Sequence, residues 1–512
     1  GNGSSQNNID QINVSRTGMT YNSDIESLLN YNAANGKSEA DYVPTNNGTL
    51  VDQGISPTNS VSTGTSSSDT LDDLVPHTNV GSAADIGAFE YGATTWSAGI
   101  DWTPKFHTTI WKTNASTTDW NTASNWSTGS VPTADVNVMI PVQQSGASNY
   151  PIISNSGAVA KNVTVNSSAT LTINRDSDLT LSGNLVNRGT VNLNSDKDEY
   201  SSIIIQGSST GNIVYKRHVA DVGDDEWDYI GSPVAGQNLQ TLINNNSSLA
   251  TGGAGNSQVA IGVFDNGAGD DTAAAMYTNY STTGNSGVTI TSGQGFVMAT
   301  DDGSTTATVD FTGTVNTSNV TFAIDDETSS NTNYGKFNLV ANPFPSYLAF
   351  NAAAVSASSA TEAFLTVNAT SNDNLHNSYA GLWGYDGDGT FTEYNSTSAG
   401  AIYIAPGQGF FVAADANANL SFTEAMQTTT GGDDFNTTDD VLNDTHEVLL
   451  RLYHGEEMIE DARLYFEEGL SLGLDVSYDM GDFNHNSPLM TRLVEEDEGY
   501  GMAINAMSTD HM

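Results

Sequence analysis

Val163-Thr164-Val165, Leu171-Thr172-Ile173, Leu179-Thr180-Leu181 and Val191-Asn192-Leu193 follow one another across residues 160–195, each an apolar–polar–apolar triplet. They recur every 8 to 12 residues, with Asn, Ser and Gly between them. Alternation with period two, bounded by turn residues, reads as short strands. Strands this short bury their apolar side only against further copies of themselves, which suits a β-roll or solenoid-like stack. Outside this stretch helical periodicity is nearly absent. The two helix candidates are brief: Asp24 to Tyr31 behind Ser23, and Ala360 to Leu365 behind Ser359.

A second pattern lies downstream. Trp227-Asp228-Tyr229-Ile230-Gly231-Ser232-Pro233 aligns with Phe337-Asn338-Leu339-Val340-Ala341-Asn342-Pro343, 110 residues on. Ile290-Thr291-Ser292-Gly293-Gln294-Gly295-Phe296-Val297 aligns with Ile404-Ala405-Pro406-Gly407-Gln408-Gly409-Phe410-Phe411, 114 residues on. Asp310-Phe311-Thr312 aligns with Ser421-Phe422-Thr423, 111 residues on. Three ordered matches at similar offsets predict that 201–318 and 319–430 are two copies of one β-rich unit. Each Gly-Gln-Gly-Phe follows a β-rich run and lacks the Lys and helix start of a phosphate-cradling loop. It reads as a tight turn entering a core strand.

Composition bounds the function. The 512 residues carry 14 Lys+Arg against 60 Asp+Glu, a formal charge of -46. Nucleic acid and anionic membrane surfaces need cationic partners, so both are excluded as ligands. With no cysteine there is no disulfide, thiol nucleophile or thiolate metal site. No window is apolar for long enough to insert as a membrane helix.

Two further stretches carry a family likeness. Leu50-Val51-Asp52-Gln53-Gly54 and Asp85-Ile86-Gly87-Ala88-Phe89-Glu90-Tyr91 resemble the closing rungs of right-handed parallel β-helix proteins. Trp120-Asn121-Thr122-Ala123-Ser124-Asn125-Trp126, Gly129 to Asp135, and Val138-Met139-Ile140-Pro141 resemble a module of long secreted surface proteins of Bacteroidetes. Asp461-Ala462-Arg463-Leu464-Tyr465-Phe466 resembles their terminal β-sandwich. The resemblance implies an adhesin-like substrate of the type IX secretion system, located outside the cell or on its surface, and a piece of a longer precursor.

The expected fold is therefore all-β: the tail of a parallel β-helix or solenoid, then serial β-sandwich or β-roll modules, two of them duplicated. The expected boundaries are 1–92 for terminal rungs and cap, 93–200 for a Trp-rich module with stacked rungs, 201–318 and 319–430 for the copies, and 431–512 for a C-terminal sandwich-like segment.

Candidate sites are few. Asp221, Asp224 and Asp225 share one acidic loop, and Tyr385-Asp386-Gly387-Asp388-Gly389 supplies Asp386 and Asp388 in another. Carboxylates on flexible loops suit calcium, Ca2+, although neither loop has the twelve-residue spacing with a closing Glu. Trp383, Tyr385 and Tyr394 form either a sugar-stacking platform or a packed hairpin. Asp69-Thr70-Leu71 and Asp271-Thr272-Ala273 resemble the Asp-Ser/Thr-apolar acceptor for O-glycans, which marks Thr70 and Thr272. No His-x-x-x-His pair occurs. These readings favour a non-enzymatic adhesin or structural stalk whose partners are extracellular glycans, other surface proteins or its own copies in filaments. The alternatives are an ancillary region of a polysaccharide-degrading enzyme and a carbohydrate-binding module.

Overall fold

Successive triplets do not pair with their immediate neighbours in sequence; each pairs with a strand one coil further on, so that Leu171-Thr172-Ile173 meets Val191-Asn192-Leu193. The computed structural model describes residues 108–511 apart from 144–148, 223–226, 270–271, 302, 304–306, 388–390, 399, 436–446, 456, 485 and 496–498. The expectations for 1–92, including the β-helix cap, Thr70 and the helix at 24–31, lie outside these residues. The fold is almost entirely β.

The chain first winds a three-sided β-solenoid of about three turns. One face stacks β1 (Thr108–Ile110), β2 (Asn137–Ile140), β5 (Val163–Val165), β8 (Leu185–Asn187) and β11 (Ser209–Thr210). The second stacks β3 (Ile152–Ile153), β6 (Thr170–Ile173), β9 (Thr190–Asn194) and β12 (Ile213–His218), and the third β4 (Ala158–Ala160), β7 (Asp178–Leu181) and β10 (Ser202–Ile205). From β2 onward, neighbours on a face run parallel: Val163 faces Leu185, Leu171 faces Val191, and Leu179 faces Ile203. The apolar members of each triplet point inward and are buried. Asn and Gly recur between rungs because the corners stack. Asn162 Nδ2 donates to Asn137 Oδ1 at 2.7 Å, and Asn162 Oδ1 accepts from the Asn184 N–H at 2.6 Å. Asn184 Oδ1 in turn accepts from Ser208 N–H. Upstream, Trp111, Trp120 and Trp126 close the stack edge to face, with centroids 4.9 and 4.7 Å apart.

The boundary expected at residue 200 falls inside this solenoid, which runs on through β10, β11 and β12 to His218. Each apolar rung needs a successor to cover it, and Ile203, Ile205, Ile213 and Tyr215 continue the inward series.

β12 is also the first strand of the first repeat. It pairs antiparallel with β18 (Thr308–Gly313), Tyr215 opposite Phe311. A sheet follows in the order β13 (Asp228–Gly231), β17 (Gly295–Met298), β15 (Gln258–Phe264), with β14 (Thr251–Gly252) and β16 (Tyr277–Ser281) both on β15. The second repeat opens with β19 (Val320–Ile324) paired to β26 (Ala418–Phe422). Its sheet runs β20 (Phe337–Ala341), β25 (Gly409–Ala413), β22 (Leu382–Tyr385), β23 (Phe391–Tyr394), and a small sheet joins β21 (Tyr347–Ala349), β24 (Tyr403–Ile404) and β27 (Gln427–Thr428). Registers match position for position. Ile230 faces Phe296 as Val340 faces Phe410, and Gly231 faces Gly295 as Ala341 faces Gly409.

A buried asparagine repeats as well. Asn246 Nδ2 donates to the Leu242 and Asp310 carbonyls while its Oδ1 accepts from Asp310 N–H. Asn368 does the same with Phe364 and Ser421. The helix expected at Ala360–Leu365 begins later; Thr366–Ser371 is a π-helical turn built around Asn368.

The C-terminal segment forms the sheet β28 (Glu447–His454), β29 (Glu457–Phe466), β31 (Met502–Met507), β30 (Met480–Gly481). Tyr465, Ile504 and Ala506 pack on Phe337, Trp383 and Phe411, so its sandwich partner is the sheet of the second repeat. Residues 109–512 thus gather into one compact unit rather than separable modules.

Candidate functional site

The Gly-Gln-Gly elements meet each other's repeat. Gly231 N–H donates to the Gly407 carbonyl at 2.8 Å, and Ala341 N–H donates to the Gly293 carbonyl at 2.9 Å. Ile230 bridges Gln408 as Val340 bridges Gln294. Equivalent groups exchange equivalent bonds, which is the contact pattern of a twofold dimer contained in one chain. The glycines divide the work. Gly293 and Gly407 take φ of +93° and +67°, where a side chain is strained. Gly295 and Gly409 leave room for backbone: a Cβ on Gly409 would stand 2.6 Å from Tyr229 C, and one on Gly295 2.9 Å from the Val340 carbonyl oxygen. Gln408 Oε1 accepts from the buried Ala405 N–H.

Aromatic rings fill the far side of this seam. Tyr229 lies 5.0 Å from Tyr385 and 5.4 Å from Phe411, and its hydroxyl is 2.8 Å from that of Tyr277. Burial pushes the Tyr277 phenol up to about 12 and that of Tyr229 well above its ordinary value. Tyr385, Phe391, Phe264 and Tyr277 remain half-buried.

Two charged joints tie the unit together. Arg217 points inward from β12, fully buried, and its Nη2 lies 2.6 Å from Asp434 Oδ2. The Tyr200 hydroxyl donates to the same oxygen at 2.7 Å, and the guanidinium sits 4.3 Å above the Tyr200 ring. The segment leaving the second repeat is thereby fastened to the last coil of the solenoid, beside Ile203 N–H, which donates to the Pro345 carbonyl. The second joint lies between repeat two and the C-terminal sheet. Burial raises the Glu393 carboxyl well above its usual range, Asp482 adds to the rise, and Arg463 offsets part of it. Burial likewise lifts Asp479 and Asp482 to about 6, although Asp479 accepts backbone N–H bonds from Asp475 and Ala506.

These raised carboxyls fix a pH response. A group protonated more readily in the folded state contributes stability that is full below its unfolded value near 4 and lost as pH rises through about 6. The melting temperature should therefore rise as pH is lowered from 8 to 5, and Asp482→Asn should flatten that dependence. A melting temperature that falls over this interval in thermal scans contradicts the assignment.

The expected site residues are scattered. Trp383 is 0% exposed, enclosed by Phe337 at 5.1 Å and by the C-terminal sheet, so its indole offers no face to a sugar. Tyr394 stacks on Phe435 at 4.8 Å. Tyr385 alone of the three joins the seam. Asp221 bridges Thr300 through its backbone, and Asp386 accepts from Thr392 Oγ1 at 3.0 Å. Asp224, Asp225 and Asp388 lie outside the described residues; among the described residues no three His, Asp or Glu gather as metal ligands. Thr272 is exposed at the start of a helical turn. Among the described residues no helix is long and apolar enough to cross a membrane. The joints at Arg217 and Glu393 escape motif search. Only the placing of Arg217 on the inward side of Ile213, Tyr215 and Arg217 signals a buried partner.

The family model described as "Domain of unknown function (DUF8693)" matches residues 110–509. No curated protein and no solved structure matches the chain.

Proposed function

We propose, for a chain that belongs to this family and takes no activity from its description, that it is a non-enzymatic extracellular adhesin or structural stalk. The observation that carries the reading is continuity. The solenoid and first repeat share one core and one strand, the repeats exchange ladder bonds, and the C-terminal sheet closes over the second repeat. Enzymes that close on substrate place a cleft or hinge between domains; here those places are filled with ladder bonds and apolar side chains. A dry, bonded series transmits load, as a stalk must. The acidic, Lys-poor surface suits an exposed location and stays soluble by self-repulsion. Extracellular glycans are the favoured partner because half-buried rings, Tyr385 and Tyr277 among them, line the seam beside Asp386.

The test couples the purified full chain to microspheres and measures their retention on polysaccharide-coated surfaces under flow, with reducing ends assayed in parallel. Retention well above that of bare spheres, without release of reducing ends, supports the reading. Catalytic turnover that disappears in Glu393→Gln with Asp482→Asn overturns it.

A further inference from the structure

β28 is the edge of its sheet, and among the described residues only β29 pairs with it. It is eight residues long and none of its residues is buried. Val448 is 43%, Leu450 37% and Leu452 37% exposed, and they alternate, so they share one face. Tyr453, Met458 and Ile459 extend the exposed apolar surface to the hairpin tip. Edge strands in soluble proteins are blunted by Lys, Pro or bulges aimed at intruding strands. Glu447–His454 contains neither Lys nor Pro. Its one shift in register lies at Leu452/Tyr453, at the end of the apolar trio.

We infer that β28 pairs with β28 of a second copy of this chain, antiparallel about a twofold axis through Leu450. Opposite residues in a sheet share a face, so this register sets Leu450 against Leu450 and Val448 against Leu452. The three exposed side chains of each copy join into one apolar ridge of six. Arg451 comes opposite Leu449 and diagonal to both Glu447 and Arg451 of the second copy, so the strand pair holds two Glu–Arg diagonals against one Arg–Arg diagonal. This matters in a chain of charge -46, whose surface otherwise repels its like; β28 carries one carboxylate and one guanidinium. An isologous contact closes on itself, so it gives dimers and not fibres. One added strand pair is a small interface of the transient class. The inference goes beyond the adhesin reading and does not depend on it.

The chain's lack of cysteine makes the test clean. Directly opposed residues of an antiparallel pair have Cα atoms about 4.5–5.5 Å apart, within disulfide reach. In the full 512-residue chain, Leu450→Cys should oxidise to a covalent dimer at least tenfold faster than Val494→Cys, whose side chain is 65% exposed elsewhere. Sedimentation equilibrium should show a reversible dimer that Leu450→Lys weakens at least tenfold, with circular dichroism unchanged. A chain that stays monomeric to about 200 µM overturns the inference, as does equal cross-linking of the two cysteine variants. The same holds if a segment of the chain itself, or another protein, occupies the edge.

Discussion

Replacing Asp434 by alanine should destabilise the protein by about 3–5 kcal/mol, because it strands the Arg217 guanidinium without its counter-charge. Arg217 is fully buried, and its remaining contacts are weak by comparison: a 3.0 Å bond from Nη1 to the His218 carbonyl and the Tyr200 ring below. Tyr200 loses its shorter acceptor in the same step and keeps the Lys197 carbonyl at 3.1 Å. The loss therefore reports the uncompensated charge, not the net value of the pair. Removing both charges tells the two apart. Arg217→Met with Asp434→Leu should lie within about 1 kcal/mol of the parent, since apolar residues of similar volume fill such sites as well as ions do. Urea unfolding of the single and double variants measures both. An Asp434→Ala cost below about 1 kcal/mol would show that the segment from 431 is not anchored on the solenoid.

Phe296→Ala and Phe410→Ala should each cost about 3–5 kcal/mol through lost transfer energy and the cavity left behind. Both rings are buried, 1% and 0% exposed, and both face the strand that opens their own repeat's sheet. Phe410 is held edge to face by Phe364 at 5.5 Å, and Phe296 meets Tyr280 at a tilt with centroids 6.3 Å apart. The equivalence of the positions sets equal ranges for the two costs. Urea midpoints for the two variants check this. A cost below about 1 kcal/mol for either would separate the repeats energetically.

The rungs were legible because their alternation, and the Asn and Gly at their corners, are local signals. Their partners were not, since Leu171 and Leu179 pair with residues 20 and 24 positions away, and no local pattern encodes that. For the same reason the solenoid's end was placed at 200, although Ile203, Ile213 and Tyr215 continue it to His218. The Gly-Gln-Gly match was visible, but its purpose was not. Gly295 and Gly409 look like turn residues and act as room for the other repeat's backbone. Asn246 and Asn368 were invisible as a pair because they stand 122 apart where their neighbours stand 110 to 114 apart. Trp383 was open to two readings because a Trp in a hairpin looks alike on a wet or a dry face. Tyr465 and Ile504, far along the chain, supply the cover that made it dry.

The central claim is that the two repeats meet as symmetry mates, and one double-mutant cycle tests it most directly. At the pseudo-twofold position repeat one has Gly231 and repeat two has Ala341, and a Cβ on Gly231 would lie 2.2 Å from that of Ala341. Gly231→Ala alone should cost about 1–3 kcal/mol by overpacking. Adding Ala341→Gly moves the methyl across the axis and relieves that contact, while the Gln294 carbonyl oxygen, 2.6 Å from the new Cβ, stays in place. Urea unfolding of the double variant should therefore recover part of the loss, a coupling of about 0.5 kcal/mol or more. Strictly additive costs, with the double variant weaker than either single one, would mean that the two positions do not touch and would contradict the symmetric seam.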